Sequence, residues 1–243
     1  MSEVESIEAA APRPWGYAAT FAWVLLAAAL AVGVSAVVLA LTSVGPLEDS
    51  ADLMSDGPLV SELTFVSTAV EIGVVALAAQ FAGWRAADYL ALVIPDVRAA
   101  LIPVVSMAVF LLGYDALTSL LNQDVVSSFQ LDTYRSARAA GFLPMLWIAF
   151  VIVAPLGEEI IFRGFLYRGW ARSPRSVAPA VAVISALWAM MHVQYDWFGI
   201  LQIFLLGLLL GWARWRGGST LLAVGLHGLG NAWAMIETAA AIG

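Results

Sequence analysis

The chain has 243 residues, of which 62% are hydrophobic and only 12% charged, with a mean hydropathy of +0.88. Soluble domains carry about 25% charged residues, so most of this chain cannot face water, and its length suits one bundle of about seven spans with no room for a sizeable soluble domain. The absence of cysteine excludes disulfides, thiol nucleophiles and cysteine-ligated metals, and the net charge of −7 argues against nucleic acid as a partner.

In chain order, residues 1–14 are polar, acidic and proline-containing, which predicts a short disordered cytoplasmic tail. Residues 15–243 then form a single transmembrane domain. The tail lacks a basic n-region and an A-x-A site placed like a signal peptide's, so the next segment reads as retained. The first span is expected from about Tyr17 to Thr42, with Trp15 and Tyr17 as interfacial aromatics. Residues 45–62 hold Glu48, Asp49, Asp52, Asp56 and Glu62 and read as a solvated acidic loop. The second span covers about Leu63 to Ala82 and carries Glu71 near its middle. Gly83 to Arg98 is shorter and amphipathic, which predicts an interfacial helix or turn. The third span runs from about Ala99 to Leu121, with Asp115 toward its far end.

Asn122 to Gly141 is polar and mixed in charge. The fourth span, Phe142 to about Trp170, is long, and Pro144, Pro155 and Gly157 are places where it can break. A fifth span covers about Val177 to Val193 and contains His192. Asp196 and Trp197 follow in a tight turn. The sixth runs from about Phe198 to Trp215, and its Gly207-x-x-x-Gly211 spacing permits close helix packing. The seventh, from about Ser219 to Ile242, carries His227 and Asn231.

Every basic residue is an arginine. With the N-terminus inside, Arg13, Arg85, Arg98, Arg168, Arg172, Arg175, Arg214 and Arg216 fall on the cytoplasmic side, and only Arg135 and Arg138 fall outside. The positive-inside rule therefore predicts a cytoplasmic N-terminus and an external C-terminus. The Arg- and Ala-rich, Lys-free composition points to a GC-rich bacterial genome, and so to a bacterial inner membrane.

Inside this apolar frame the stretch Pro155 to Gly164 holds Glu158, Glu159 and Arg163. One charged side chain at a membrane helix centre costs roughly 2.5–3.5 kcal/mol on insertion scales, so these groups need partners, water or both. Glu159 and Arg163 are four apart and share a helix face, which predicts an ion pair. Glu158 points about 100° away and is left without that partner. The chain has two histidines, His192 and His227, both in apolar segments, and His227 shares a face with Asn231. A carboxylate, two imidazoles and an amide suit hydrolysis: the carboxylate as general base on water, a histidine to hold that water, and the remaining donors for an oxyanion. The same inventory suits Zn²⁺, with Glu158, His192 and His227 as candidate ligands. The tryptophans and the Met190-Met191 pair read as packing and interface residues. Glu71 and Asp115 stay unassigned among polar glue, supporting partners and pathway residues.

Glu158-Glu159-x-x-x-Arg163, an aromatic-x-x-x-His at Trp188 to His192, and His227-x-x-x-Asn231 resemble the three motifs of the CPBP family of type II CAAX prenyl endopeptidases, bacteriocin-processing enzymes and abortive-infection-like proteins. The resemblance covers about Phe142 to Met235, the motif region being about 142–235. One departure is that Trp188 stands where Phe is more usual. The resemblance implies an intramembrane endopeptidase acting on a peptide bond in a membrane-associated or lipidated protein or peptide. By analogy Glu158 is the general base and His192 orients its water. His227 and Asn231 stabilise the oxyanion, and Glu159 and Arg163 hold the motif in shape. The family has been described both as metalloproteases and as metal-independent glutamate proteases, and the residues favour the latter, with no cofactor required. The alternatives are a non-catalytic membrane scaffold or immunity protein of the same fold, and an ion- or proton-coupled transporter, which lacks a visible inverted repeat. The enzyme reading requires Glu158, His192, His227 and Asn231 to converge on one cavity, expected toward the arginine-bearing end of the fourth span.

Overall fold

A computed structural model describes residues 12–42, 53 and 55–243. Among these residues every regular element is helical, with no strand, as the composition required. Most of the tail expected over 1–14, and Glu48, Asp49 and Asp52 of the acidic loop, lie outside the described residues. The helices are α1 (Tyr17–Thr42), α2 (Gly57–Phe81), α3 (Ala86–Tyr89), α4 (Val97–Leu120), α5 (Ser128–Ala139), α6 (Leu143–Trp170), α7 (Pro174–Met190), α8 (Trp197–Gly217) and α9 (Thr220–Ile242). Five of them, α1, α2, α4, α6 and α8, are long and apolar enough to cross a membrane. The shorter α7 has 17 residues, and α9, with 23, packs along α6. Large apolar side chains stay exposed along the outside, among them Leu25, Leu30, Val37, Leu101, Val109 and Leu205. In a bilayer these face acyl chains, and the helical backbone satisfies its own polar groups.

The chain marks the helix starts with short polar side chains that take up otherwise orphaned amides. Asp56 accepts from the Leu59 amide at 2.9 Å, Asp96 from Arg98 at 2.8 Å and Asp196 from Gly199 at 2.8 Å. Ser127 and Gln130 close a capping box on α5. Asp56, which sequence reading took as part of a solvated loop, is thus a helix cap.

Consecutive long helices alternate in direction, so the bundle has two ends. At the arginine end, residues 83–98 hold only one helical turn, α3. Rather than lying along the interface, this segment inserts Tyr89 and Leu90 into the core, both almost completely buried. The Tyr89 carbonyl accepts from Arg168 Nε at 2.9 Å, and Trp15 Nε1 donates to the Ala78 carbonyl at 2.8 Å. Thr220 Oγ1 donates to the Leu90 carbonyl at 2.6 Å. The other end carries α5, an amphipathic helix in the stretch that sequence reading left as a polar connection.

Helices α7 and α8 meet at the Gly207-x-x-x-Gly211 stripe. A Cβ at 211 would lie 2.5 Å from Val181 Cγ1, and one at 207 would lie 2.8 Å from Ser185 Cβ. Replacing Gly211 by Val is therefore expected to force α7 and α8 apart and cost about 1–3 kcal/mol, read as a lower thermal midpoint in detergent. Gly73→Ala, where a Cβ meets nothing within 4 Å, should leave the midpoint unchanged or slightly raised.

Candidate active site

The site begins with a break in α6. Pro155 has no amide hydrogen. The Ala154 amide reaches back five residues to the Ala149 carbonyl, so the next acceptor in that pattern, the Phe150 carbonyl, faces a proline. Asn231 Nδ2 on α9 fills the gap, donating to it at 2.8 Å. Helix α9 comes this close because residue 228 is glycine: a Cβ there would lie 2.6 Å from the Val151 carbonyl oxygen. The outcome is a helix widened to π geometry over Ala149–Val153 and again over Ile160–Leu166, with Ala154–Glu159 between them. Widened turns re-aim side chains and are common at functional sites.

Two adjacent glutamates consequently face different surroundings. Glu159 is fully buried, and its Oε1 accepts from Arg163 NH1 at 2.8 Å and pairs with His227 Nδ1 at 2.9 Å. The expected Glu159–Arg163 pair is present, 0% and 1% exposed. Arg163 also donates to the Gly207 carbonyl at 3.1 Å, and its guanidinium lies 4.6 Å from the Trp188 ring centroid. Glu158 turns toward the cavity. As expected it does not pair with Arg163; its Oε2 accepts instead from Trp188 Nε1. The Trp188 ring stacks edge-on against both histidines, with centroids 5.2 Å from His192 and 5.1 Å from His227. Trp188 is therefore no mere packing residue. Its place in the second motif was visible in the sequence, but its indole hydrogen bond required three-dimensional proximity, which a Phe could not exploit.

His192 sits just past the end of α7, with Nδ1 2.9 Å from the Trp188 carbonyl. A carbonyl only accepts, so Nδ1 carries the hydrogen and Nε2 keeps its lone pair. His227 Nδ1 faces a carboxylate and likewise donates.

Glu158, Trp188, His192, His227 and Asn231 line one cavity of about 270 Å³. The convergence expected of the four motif residues is met, although His227 and Asn231 contact Glu159 and the α6 backbone rather than Glu158 itself. Its direction differs from expectation. The cavity is walled by Val60, Phe129, Gln130, Thr133, Gln194 and Tyr195. It therefore opens toward the α5 end, away from the arginine end, because the broken segment of α6 points its carboxylate toward the starts of α2 and α6. Tyr195, in the turn after α7, was not singled out from sequence. Burial, reinforced by the nearby charge of Glu158, pushes its phenol up to about 12, so it remains a neutral hydroxyl.

Glu158 and His192 also line a second, apolar groove of about 450 Å³ between α1, α2, α6 and α7. Glu71 lies in this groove beside Phe21, Leu25 and Met191. Asp115 accepts from Trp233 Nε1 at 2.9 Å and, with Glu237, lines a neighbouring cavity that shares Asn231 and Tyr195 with the first. Among the described residues no group of three His, Cys, Asp or Glu side chains gathers closely enough to hold a metal ion. In this arrangement His227 turns its Nδ1 to Glu159, and Glu158 turns its Oε2 to Trp188.

Compared with known families, residues 140–233 match the model described as type II CAAX prenyl endopeptidase Rce1-like. The matched segment contains all three motifs and agrees with the resemblance that they carry. No curated protein and no solved structure matches the chain.

Removing Glu159 alone leaves Arg163 buried without its counter-charge. Glu159→Ala is expected to cost about 3–5 kcal/mol, while the paired change Glu159→Leu with Arg163→Met costs less, because no uncompensated charge remains. Thermal unfolding of the detergent-solubilised variants checks the order.

Proposed function

On the premise that the motif region, residues 140–233, is Rce1-like, we propose that the protein is a multi-pass intramembrane endopeptidase in which Glu158 activates water against a peptide bond. One observation carries the reading: Glu158 stands where an apolar groove meets a cavity that holds both histidines and Asn231. A membrane-inserted or lipidated substrate segment reaches Glu158 through that groove without leaving apolar surroundings.

The chemistry follows from the free valences. Trp188 occupies Oε2 of Glu158, leaving Oε1 to accept a proton from water. The His192 Nε2 lone pair accepts the second water hydrogen and so aims the oxygen. Water adds to the scissile carbonyl carbon as its proton passes to Glu158. The oxyanion is met by the second Nδ2 hydrogen of Asn231, the first being held by the Phe150 carbonyl. His227, oriented by Glu159 through Nδ1, assists at the oxyanion. The C–N bond then breaks, and the proton on Glu158 passes to the leaving amine. Each step is assigned to the protein's own groups, in a glutamate-type rather than a metallo-type mechanism. Glu159 and Arg163 position the two histidines and Trp188 and do not touch the substrate. The N-terminus is assigned to the cytoplasm on the arginine bias.

Glu158→Gln should lower the cleavage rate by about 10²–10⁴-fold, the range of a lost general base, without lowering the thermal midpoint. The natural substrate is sought as a precursor that accumulates in membranes carrying Glu158→Gln. Cleavage at the wild-type rate in this variant would remove Glu158 as the general base, whereas absence of cleavage by the wild-type protein as well would favour the scaffold. Trp188→Phe keeps the aromatic ring but loses the bond to an ionised carboxylate, worth about 1.5–3 kcal/mol, and should slow turnover about 10- to 100-fold. A chelator should leave wild-type turnover intact; loss that returns with Zn²⁺ would overturn the metal-independent mechanism.

A further inference from the structure

We infer that the catalytic cavity opens on the non-cytoplasmic face of the membrane, so that its substrates are polypeptide segments emerging from the bilayer on that face rather than the C-terminal peptides of cytosolic proteins. The substrate half of this inference rests on the peptidase reading; the orientation half does not.

Two independent features of the chain carry it. The first is charge. Apart from the buried Arg163, eight of the ten arginines lie at one end of the bundle and two, Arg135 and Arg138, at the other. All eight sit within a few residues of a helix end: Arg13 before α1, Arg85 before α3, Arg98 at the start of α4, Arg168 at the end of α6, Arg172 between α6 and α7, Arg175 at the start of α7, and Arg214 and Arg216 at the end of α8. Short connections of this kind are the ones in which basic residues set orientation, while Asp and Glu contribute little. The arginine end is thereby the cytoplasmic one.

The second feature is the shape of the site. The cavity that holds Glu158 runs to Val60, Gln130 and Tyr195, all at the α5 end. The arginine end is drawn shut. Arg214 Nε donates to the Arg163 carbonyl at 3.0 Å, directly beneath the motif, and Arg168 ties α6 to Tyr89. Ser219 Oγ donates to the Val93 carbonyl, and Trp170 Nε1 to the Tyr17 carbonyl at 3.1 Å. A cytosolic peptide arriving at the arginine end meets this hydrogen-bonded floor, whereas a segment arriving from the other side meets Glu158. The two features were not constrained to agree, because the cavity's direction is set by the break at Pro155 and the orientation by residues elsewhere in the chain.

The native chain contains no cysteine, so one introduced thiol reports on one position. Ala140 at the α5 end and Ala87 at the arginine end are both exposed, and an alanine-to-cysteine change preserves size. Full-length Ala140→Cys and Ala87→Cys proteins are expressed in bacterial cells and treated with a membrane-impermeant maleimide. The expected result is labelling of Ala140→Cys in intact cells and of Ala87→Cys only after permeabilisation. Labelling of Ala87→Cys in intact cells, alone or together with Ala140→Cys, overturns the inference. Because labelling reads orientation whether or not the chain cleaves anything, failure here is distinct from failure of the peptidase reading, which shows instead as absence of cleavage by the wild-type protein.

Discussion

One buried carboxylate oxygen holds the centre of this bundle together. Glu159 Oε1 takes Arg163 from the next turn of α6 and His227 from α9. Through Arg163 the same cluster reaches the α8 backbone at Gly207 and the face of Trp188 on α7. Four helices thus meet around a group that cannot be solvated where it sits. Its desolvation is a standing cost, offset only while the Arg163 guanidinium and the His227 N–H stay in place. That condition fixes the relative register of the helices more sharply than the surrounding apolar contacts, which tolerate sliding. It also fixes the ring of Trp188, against which both histidines are set.

The active arrangement is a consequence of this anchoring plus one backbone defect. Proline at 155 removes an amide hydrogen, α6 widens, and Asn231 is drawn in to satisfy the exposed Phe150 carbonyl. An unpaired carbonyl at membrane depth would be costly, so an amide at this position of α9 has a structural duty. With Glu159 held inward, the neighbouring Glu158 must turn the other way, into the cavity. The pair shows how two adjacent residues of one type acquire opposite roles through helical geometry alone.

The resulting site is asymmetric along the membrane normal. Hydrogen bonds from Trp15, Arg168, Arg214 and Thr220 knit the arginine end. The α5 end keeps space around Gln130 and Tyr195, and an apolar groove past α1 gives access from the side. Glu158 is therefore bordered by two different spaces, one reaching the α5 end and an apolar one past α1.

The sequence by itself determined that the chain is a helical membrane bundle, since a charged fraction of 12% leaves no alternative. Spacing determined that Glu159 pairs with Arg163 and that Glu158 does not, because the helical repeat acts over neighbouring residues. The close α7–α8 contact and most span boundaries were legible for the same local reason, although α2 starts at Gly57, inside the stretch read as an acidic loop. Long-range proximity was not. That Trp188 binds Glu158, that His227 answers Glu159, that Asn231 repairs the backbone of α6, and that residues 83–98 plug one end of the bundle depend on contacts between positions distant in the chain. The direction of the cavity was misread for a related reason. A motif's place along one helix says where a carboxylate begins, but only the packing of α2, α5, α6 and the α7–α8 turn around it decides which way it opens.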